Sequence, residues 1–372
     1  MTVLNKTIST LLAIALSGCA FATEESPNRM LRADELLKTI IERDGGPGVS
    51  AAVVQDGKIL WSGATGFSDL EAHIALTVDT RMRIGSVSKP ITAAVLLRLW
   101  DQGLIDLDAD VRDLVPDLGS SQEHIITARM LAGHTSGIRQ YDFSDYLDAN
   151  NVYYYPSLTG AFAKVASDPL LSEPGSVFHY SSIGYNVLGI AAERASELSF
   201  SDVTTRELTT PLGLKNTLVD HPLEIISNRT RFYTRFPDGV VRNTIWRDSS
   251  DFYPSGGMLS TAEDLARLTS AVFGGEWLSS MAMELLTTEA TTTSGDPTGY
   301  TFGWQIVRGE DGAVRYFEHG GETNGAHAFV RYFPLEKLAV AGIVNSNFAV
   351  GEPYFFEAIS EHLPALFGIR ER

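Results

Sequence analysis

Ser86-Val87-Ser88-Lys89-Pro90-Ile91-Thr92-Ala93-Ala94-Val95-Leu96-Leu97-Arg98-Leu99 is the stretch from which the rest of the chain can be read. Ile91, Ala94, Val95 and Leu99 recur at helical spacing, and Gly103 ends the run with Leu104 just beyond it. Positions three apart share a helix face, so the spacing lets the Lys89 amine reach the Ser86 hydroxyl one turn away. The first-turn amides of a helix have no intrahelical partner and suit an anion developing beside them. A serine hydroxyl attacks only when a base takes its proton, and a partly desolvated lysine is such a base. Alone, the spacing fits a helix start with a solvated lysine equally well, so support has to come from elsewhere in the chain.

Two distant segments supply it. Pro174-Gly175-Ser176-Val177-Phe178-His179-Tyr180-Ser181-Ser182 leads into Gly184-Tyr185-Asn186-Val187-Leu188-Gly189. Much later, Glu318-His319-Gly320-Gly321-Glu322 joins a strand-like run ending Phe329-Val330-Arg331-Tyr332-Phe333. The order of serine-x-x-lysine, Tyr180-Ser181-Ser182 and His319-Gly320-Gly321 resembles the serine β-lactamase and penicillin-binding protein family. Its usual pattern is serine-x-x-lysine, tyrosine-x-asparagine, then lysine-threonine-glycine or histidine-x-glycine. The connecting text is similar too: Ile126-Thr127-Ala128-Arg129-Met130-Leu131-Ala132-Gly133-His134-Thr135-Ser136-Gly137, Pro211-Leu212-Gly213-Leu214, and Ser255-Gly256-Gly257-Met258-Leu259-Ser260-Thr261-Ala262-Glu263-Asp264. The likeness runs from about Val49 to about Val344. With Ser136-Gly137-Ile138-Arg139-Gln140-Tyr141, it is similar to the branch that includes the mitochondrial serine β-lactamase-like protein.

The resemblance implies that Ser86 attacks an ester or amide carbonyl and forms an acyl-enzyme that water later cleaves. Lys89 and Tyr180 would share the proton work, and which of them is the acylation base stays open. The backbone N–H groups of Ser86 and Glu322 would form the oxyanion hole. Ser182, His319, Gly320 and Gly321 would line the substrate site, the glycines letting substrate approach the strand backbone closely. Two departures from the family pattern matter. Ser182 replaces an asparagine, and His319 replaces a lysine that grips a β-lactam carboxylate. An imidazole there is mostly neutral at pH 7, and it predicts a pH-dependent grip on anionic substrates near its ordinary value of about 6.5. Glu318 and Glu322 beside the strand would raise that value.

A small-molecule ester, a peptide or a peptidoglycan-like molecule is therefore the expected substrate of a serine hydrolase, a peptidase or esterase rather than an efficient β-lactamase. A weak β-lactamase or D-alanyl-D-alanine carboxypeptidase is the alternative. A catalytically silent relative binding peptidoglycan or a protein is the alternative of another class.

The composition is that of a globular chain: 372 residues, 44% apolar, with ample material for a core. A net charge of −17 argues against nucleic acid or an anionic membrane surface as a partner. Lys6 followed by an apolar run from Ile8 to Leu16 reads as an export signal too short to span a bilayer. Leu16-Ser17-Gly18-Cys19 resembles a bacterial lipoprotein box, which predicts a signal peptide over 1–18, lipid attachment at Cys19 and a periplasmic or cell-envelope location. Cleavage after Ala20-Phe21-Ala22, giving a soluble exported protein, is the alternative. A lipid at Cys19 is the sole membrane link expected. As Cys19 is the one cysteine, no internal disulfide is possible. His73, His124, His134, His179, His221, His327 and His362 lack metal-ligand spacing, so neither a metal nor another cofactor is predicted. There is also no Gly-x-Ser-x-Gly elbow.

Residues 19–29 read as a polar tether and 30–372 as one domain. Met30 to Arg43 has helical periodicity. Val49 to Gln55 and Lys58 to Ala64 flank Asp56-Gly57, a hairpin signal. Residues 86–288 read as mainly helical, with Ser260 and Glu263 as a capping box. Strand-like text returns at Thr301 to Val307, Ala313 to Phe317, Ala326 to Phe333 and Leu338 to Val344, before a helix near Glu352. The fold class predicted is α/β: an antiparallel sheet built from both chain ends, flanked by helices, with an inserted, mainly helical region. Tyr141, Tyr146, Tyr153, Tyr154 and Tyr155 in the 138–172 stretch read either as the rim of a cleft or as pins for a long surface loop.

Overall fold

Asp56 and Gly57 both take positive φ (48° and 73°) and join β1 (Gly48–Gln55) to β2 (Lys58–Asp69). A two-residue turn of this hand matches the twist of paired strands, which is why an Asp-Gly pair between apolar runs is so legible. The computed structural model describes residues 26–119, 124–142, 154–348 and 353–369. Ahead of the hairpin lies helix α1 (Ser26–Asp44), which starts inside the segment read as a tether, with Pro27 in its first turn.

The strands after β2 are β3 (Ile74–Ala75), then β4 (Met82–Arg83), β5 (Leu218–Val219), β6 (Tyr233–Arg235), β7 (Val241–Asn243) and β8 (Met258–Ser260) in the middle of the chain. The C-terminal part adds β9 (Gln305–Arg308), β10 (Val314–Thr323), β11 (Ala326–Phe333), β12 (Leu338–Val344) and β13 (Ser346–Phe348). The main sheet has the order β3-β2-β1-β12-β11-β10-β9. Its centre pairs the two ends of the chain antiparallel, from Val49 opposite Val344 to Gln55 opposite Leu338. The predicted sheet from both termini is therefore present.

Alternation sorts the sheet into two faces. Val49, Ala51, Val53, Phe329, Val340 and Val344 pack with α1 and the C-terminal helical segment at 354–366. Ala52, Val54, Ala328, Val330 and Ala341 pack on the inserted region, against the helix that follows Ser86. That helix is α2 (Ser88–Asp101); residues 88–97 are buried all round, the pattern of a helix running through a core. The other helices that position the site are α3 (Ala128–Ala132), α4 (Ser182–Ser196) and α5 (Ala262–Phe273).

The structure corrects four details. The inserted region is not helical throughout: β5 and β8 join β4 in one small sheet, and β6, paired with both β13 and β7, centres another. Strands of two or three residues leave no periodicity to read. Thr261, not Ser260, caps α5, accepting the Asp264 N–H at 3.2 Å. Ser260 instead shares a 2.8 Å hydroxyl contact with Thr217. β9 begins at Gln305 rather than Thr301, because Thr301 and Trp304 close a turn over Gly303 at φ 97°. β10 runs on to Thr323, carrying the His319-Gly320-Gly321 segment inside the strand.

Candidate active site

Gly85–Val87 form a single 3₁₀ turn ahead of α2, and Gly85 takes a left-handed φ of 51°. Ser86 alone between Met82 and Leu97 is not buried. Its side chain is thus presented at the start of a helix otherwise enclosed by the core. Lys89, one turn on, has no exposed surface. Its Nζ lies 2.9 Å from Ser86 Oγ and 2.9 Å from the Ser255 carbonyl. Burial holds the Lys89 pKa well below 10.5. Desolvation favours the neutral amine, and a neutral Nζ accepts the Ser86 hydroxyl proton. Nζ also lies 4.8 Å from the centre of the Tyr180 ring.

Tyr180 sits two residues ahead of α4. Ser181 caps that helix by accepting the Gly184 N–H at 2.9 Å and donates its hydroxyl to the Arg139 carbonyl at 2.7 Å. Ser182 is engaged by Gln140: its N–H donates to Oε1 at 2.8 Å, and Nε2 donates to its Oγ at 3.1 Å. A carboxamide thus stands beside Ser182 although the chain carries no asparagine there.

His319 is 2% exposed and makes two hydrogen bonds. Nδ1 is 2.7 Å from the Gly320 carbonyl and Nε2 is 2.9 Å from the Tyr300 hydroxyl. A carbonyl only accepts, so Nδ1 carries the proton and Tyr300 donates to Nε2. Burial and then the nearby Lys89 charge bring the His319 pKa down to about 3. The expected titration of His319 near 6.5 is corrected: the imidazole is neutral and offers no cation to a substrate. Glu318 does not raise its pKa, because it lies on the other face of β10, paired with Arg331 at 2.7 Å.

The two glycines have different tasks. A Cβ on Gly321 would lie 2.1 Å from the Ile84 carbonyl and 3.1 Å from Ser86 N. A Cβ on Gly85 would lie 2.6 Å from the Glu322 carbonyl. Gly321 and Gly85 therefore let β10 press its backbone onto the turn that holds Ser86. Gly320 has open space at its Cβ position, so it alone leaves room beside the strand. The Glu322 side chain turns to His327 across the strand pair, 3.5 Å from its Nε2. Its main chain remains against Gly85.

All of Ser86, Lys89, Tyr180, Ser182, His319, Gly320, Gly321 and Glu322 thus gather where α2, α4 and β10 meet. The Ser255 carbonyl, Tyr300, Gln140 and His134 complete the surroundings and were not singled out from sequence. Gln140 and His134 lie in text quoted for the resemblance, whereas Tyr300 has no sequence signal. Of the loop tyrosines, Tyr146 and Tyr153 lie outside the described residues, and Tyr155 N–H donates to Ser250 Oγ at 2.7 Å. Cys19 and the leader also lie outside them. Among the described residues, no cluster of three or more histidine, cysteine or acidic side chains is placed to hold a metal ion.

The beta-lactamase family model matches residues 33–358. The chain belongs to that family. Among relatives of this beta-lactamase-family chain is the mitochondrial serine beta-lactamase-like protein LACTB of Homo sapiens, 26% identical over 81% of this chain and 71% of its own length. Esterase EstB of Burkholderia gladioli is 28% identical over 70% of this chain and 74% of its own. A class C beta-lactamase structure superposes with a TM-score of 0.75 at 20% identity, covering 94% of this chain and 99% of that one. At that identity the structural likeness speaks for the fold.

Proposed function

We propose that this chain is a serine hydrolase that cleaves neutral ester or amide substrates through an acyl-enzyme on Ser86, and that it is an inefficient β-lactamase. The observation that carries the proposal is the buried Lys89 amine 2.9 Å from Ser86 Oγ and 2.9 Å from the Ser255 carbonyl, both neutral oxygens. In acylation the Ser86 oxygen attacks the carbonyl carbon and its proton passes to Lys89. The oxyanion meets the backbone N–H groups of Ser86 and Glu322. The Tyr180 hydroxyl, in exchange with Lys89, returns a proton to the leaving oxygen or nitrogen. Water then reverses these steps to release the acid.

His319 supports the substrate side of the reading. Where the family pattern has lysine and threonine, this chain has a neutral imidazole tied to Tyr300 and a glycine with open space. Neither supplies a charge or hydroxyl for a carboxylate. The likeness to an esterase favours ester cleavage, with peptides as the second substrate class.

The test compares p-nitrophenyl butyrate, a D-alanyl amide and nitrocefin at pH 8. The ester or the amide should give the highest kcat/KM. Faster turnover of nitrocefin would overturn the substrate assignment. Export with lipid attachment at Cys19 is proposed as well, and it is supported by the leader sequence alone.

A further inference from the structure

We infer that His134 is the positioning residue for Tyr180, holding its backbone on both sides and its ring on one face. The inference rests on the role proposed for Tyr180 above. His134 follows α3 and is fully buried in a left-handed conformation (φ 59°), which histidine, asparagine and aspartate adopt more readily than other non-glycine residues. Its carbonyl accepts the His179 N–H at 2.7 Å, and its Nδ1 accepts the Ser181 N–H at 3.0 Å. The residues before and after Tyr180 are thus tied to one histidine. The imidazole itself lies against the Tyr180 ring, with centroids 4.3 Å apart and planes at 39°.

The protonation state follows from these bonds. Nδ1 accepts a hydrogen bond, so the proton of the neutral ring is on Nε2. Nε2 is buried without a hydrogen-bond partner. Around the ring lie Phe178, Tyr185 and Tyr300, at centroid distances of 5.8, 5.2 and 4.7 Å. An N–H against aromatic faces gains little, and an apolar side chain of similar size would fill the space without that loss. What the apolar side chain could not do is accept the Ser181 N–H. Burial above all keeps the His134 pKa well below its usual range. It therefore stays neutral and does not act as a base. Its effect on chemistry runs through the place it gives the Tyr180 hydroxyl, which must meet Lys89 and the leaving group.

Two substitutions separate position from packing. His134→Asn keeps an acceptor near the Nδ1 position and tolerates the left-handed backbone, while giving up the ring. His134→Leu gives up both. By the penalty for misplacing a reacting group, kcat/KM for p-nitrophenyl butyrate should fall about 10-fold in the first and about 10²-fold in the second. Partial retention in His134→Asn is the rescue expected if the Ser181 bond matters. The decisive measurement repeats His134→Asn in a Tyr180→Phe background, where it should cost less than about 2-fold because the hydroxyl it places is gone. The same 10-fold loss in both backgrounds would overturn the inference and leave the Tyr180 role standing. An unchanged rate in Tyr180→Phe alone would overturn both. Should His134→Leu fail to fold, the asparagine cycle still decides.

Discussion

A lysine enclosed by neutral oxygens behaves differently from one in water, and that difference sets the pH behaviour expected of this site. In the proposed mechanism the neutral amine is the active form of Lys89, and burial lowers its pKa. Hydrolysis of a neutral ester should therefore rise with pH through a value below 10.5 and then level off. Lys89→Arg keeps a cation that cannot be deprotonated, so kcat/KM should fall by about 10²–10⁴, the range for a positioned base. Tyr180→Phe should lose activity over the same range with the fold intact. His319 adds no activity step between pH 5 and 8, since its pKa of about 3 keeps it neutral there. It does act on stability. Below pH 6.5 the unfolded chain binds a proton on His319 that the folded chain refuses, so the stability this group permits falls as pH drops from 6.5 toward 3. His319→Gln should flatten the acid-side fall in urea-unfolding stability, and an unchanged slope would contradict the assigned burial. The roles of Lys89 and Tyr180 were legible from the sequence, but the burial that keeps His319 neutral was not. His319 could be placed beside the site from its motif, but its enclosure depends on Tyr300, a residue from another turn of the chain.

Close approach of β10 to the 3₁₀ turn is the mechanical requirement for the site, and it divides the two adjacent glycines. Gly321→Ala would drive a methyl into the Ile84 carbonyl, so β10 or the turn must move. The expected result is a loss of about 1–3 kcal/mol of stability with a large fall in turnover, as for overpacking elsewhere. Gly320→Ala has open space and should leave thermal stability within a degree or two. Equal destabilisation of the two variants would contradict this division of tasks. The serine-x-x-lysine helix, the Asp56-Gly57 hairpin and strands β11 and β12 were readable because each is long or carries a strong local signal. The short strands β4 to β8 and the true cap of α5 were not. Strands β4, β5, β6 and β8 each pair with partners more than 30 residues away, such as Arg83 opposite Leu259. Gln140 shows the same limit: only the fold brings its amide to Ser182.

At the scale of the molecule, the nucleophile's helix packs on a sheet whose central pair, β1 and β12, comes from opposite ends of the chain. The resemblance and the strand pattern together make this architecture legible in the sequence. Pairing so distant in sequence raises contact order and predicts slow folding relative to a helical protein of this size. No helix among the described residues is long and apolar enough to cross a membrane. If Cys19 is lipidated, the protein should partition into detergent phase, and Cys19→Ser should move it to the aqueous phase. A mature chain beginning at Thr23 by mass spectrometry would overturn that proposal. The central claim is that Ser86 is the covalent nucleophile, and active-site labelling with a fluorophosphonate probe followed by peptide mass spectrometry tests it most directly. The account predicts a single adduct on Ser86, abolished in Ser86→Ala while that variant keeps its circular dichroism spectrum. Labelling that persists in Ser86→Ala, or maps to Ser88 or Ser182, would contradict it.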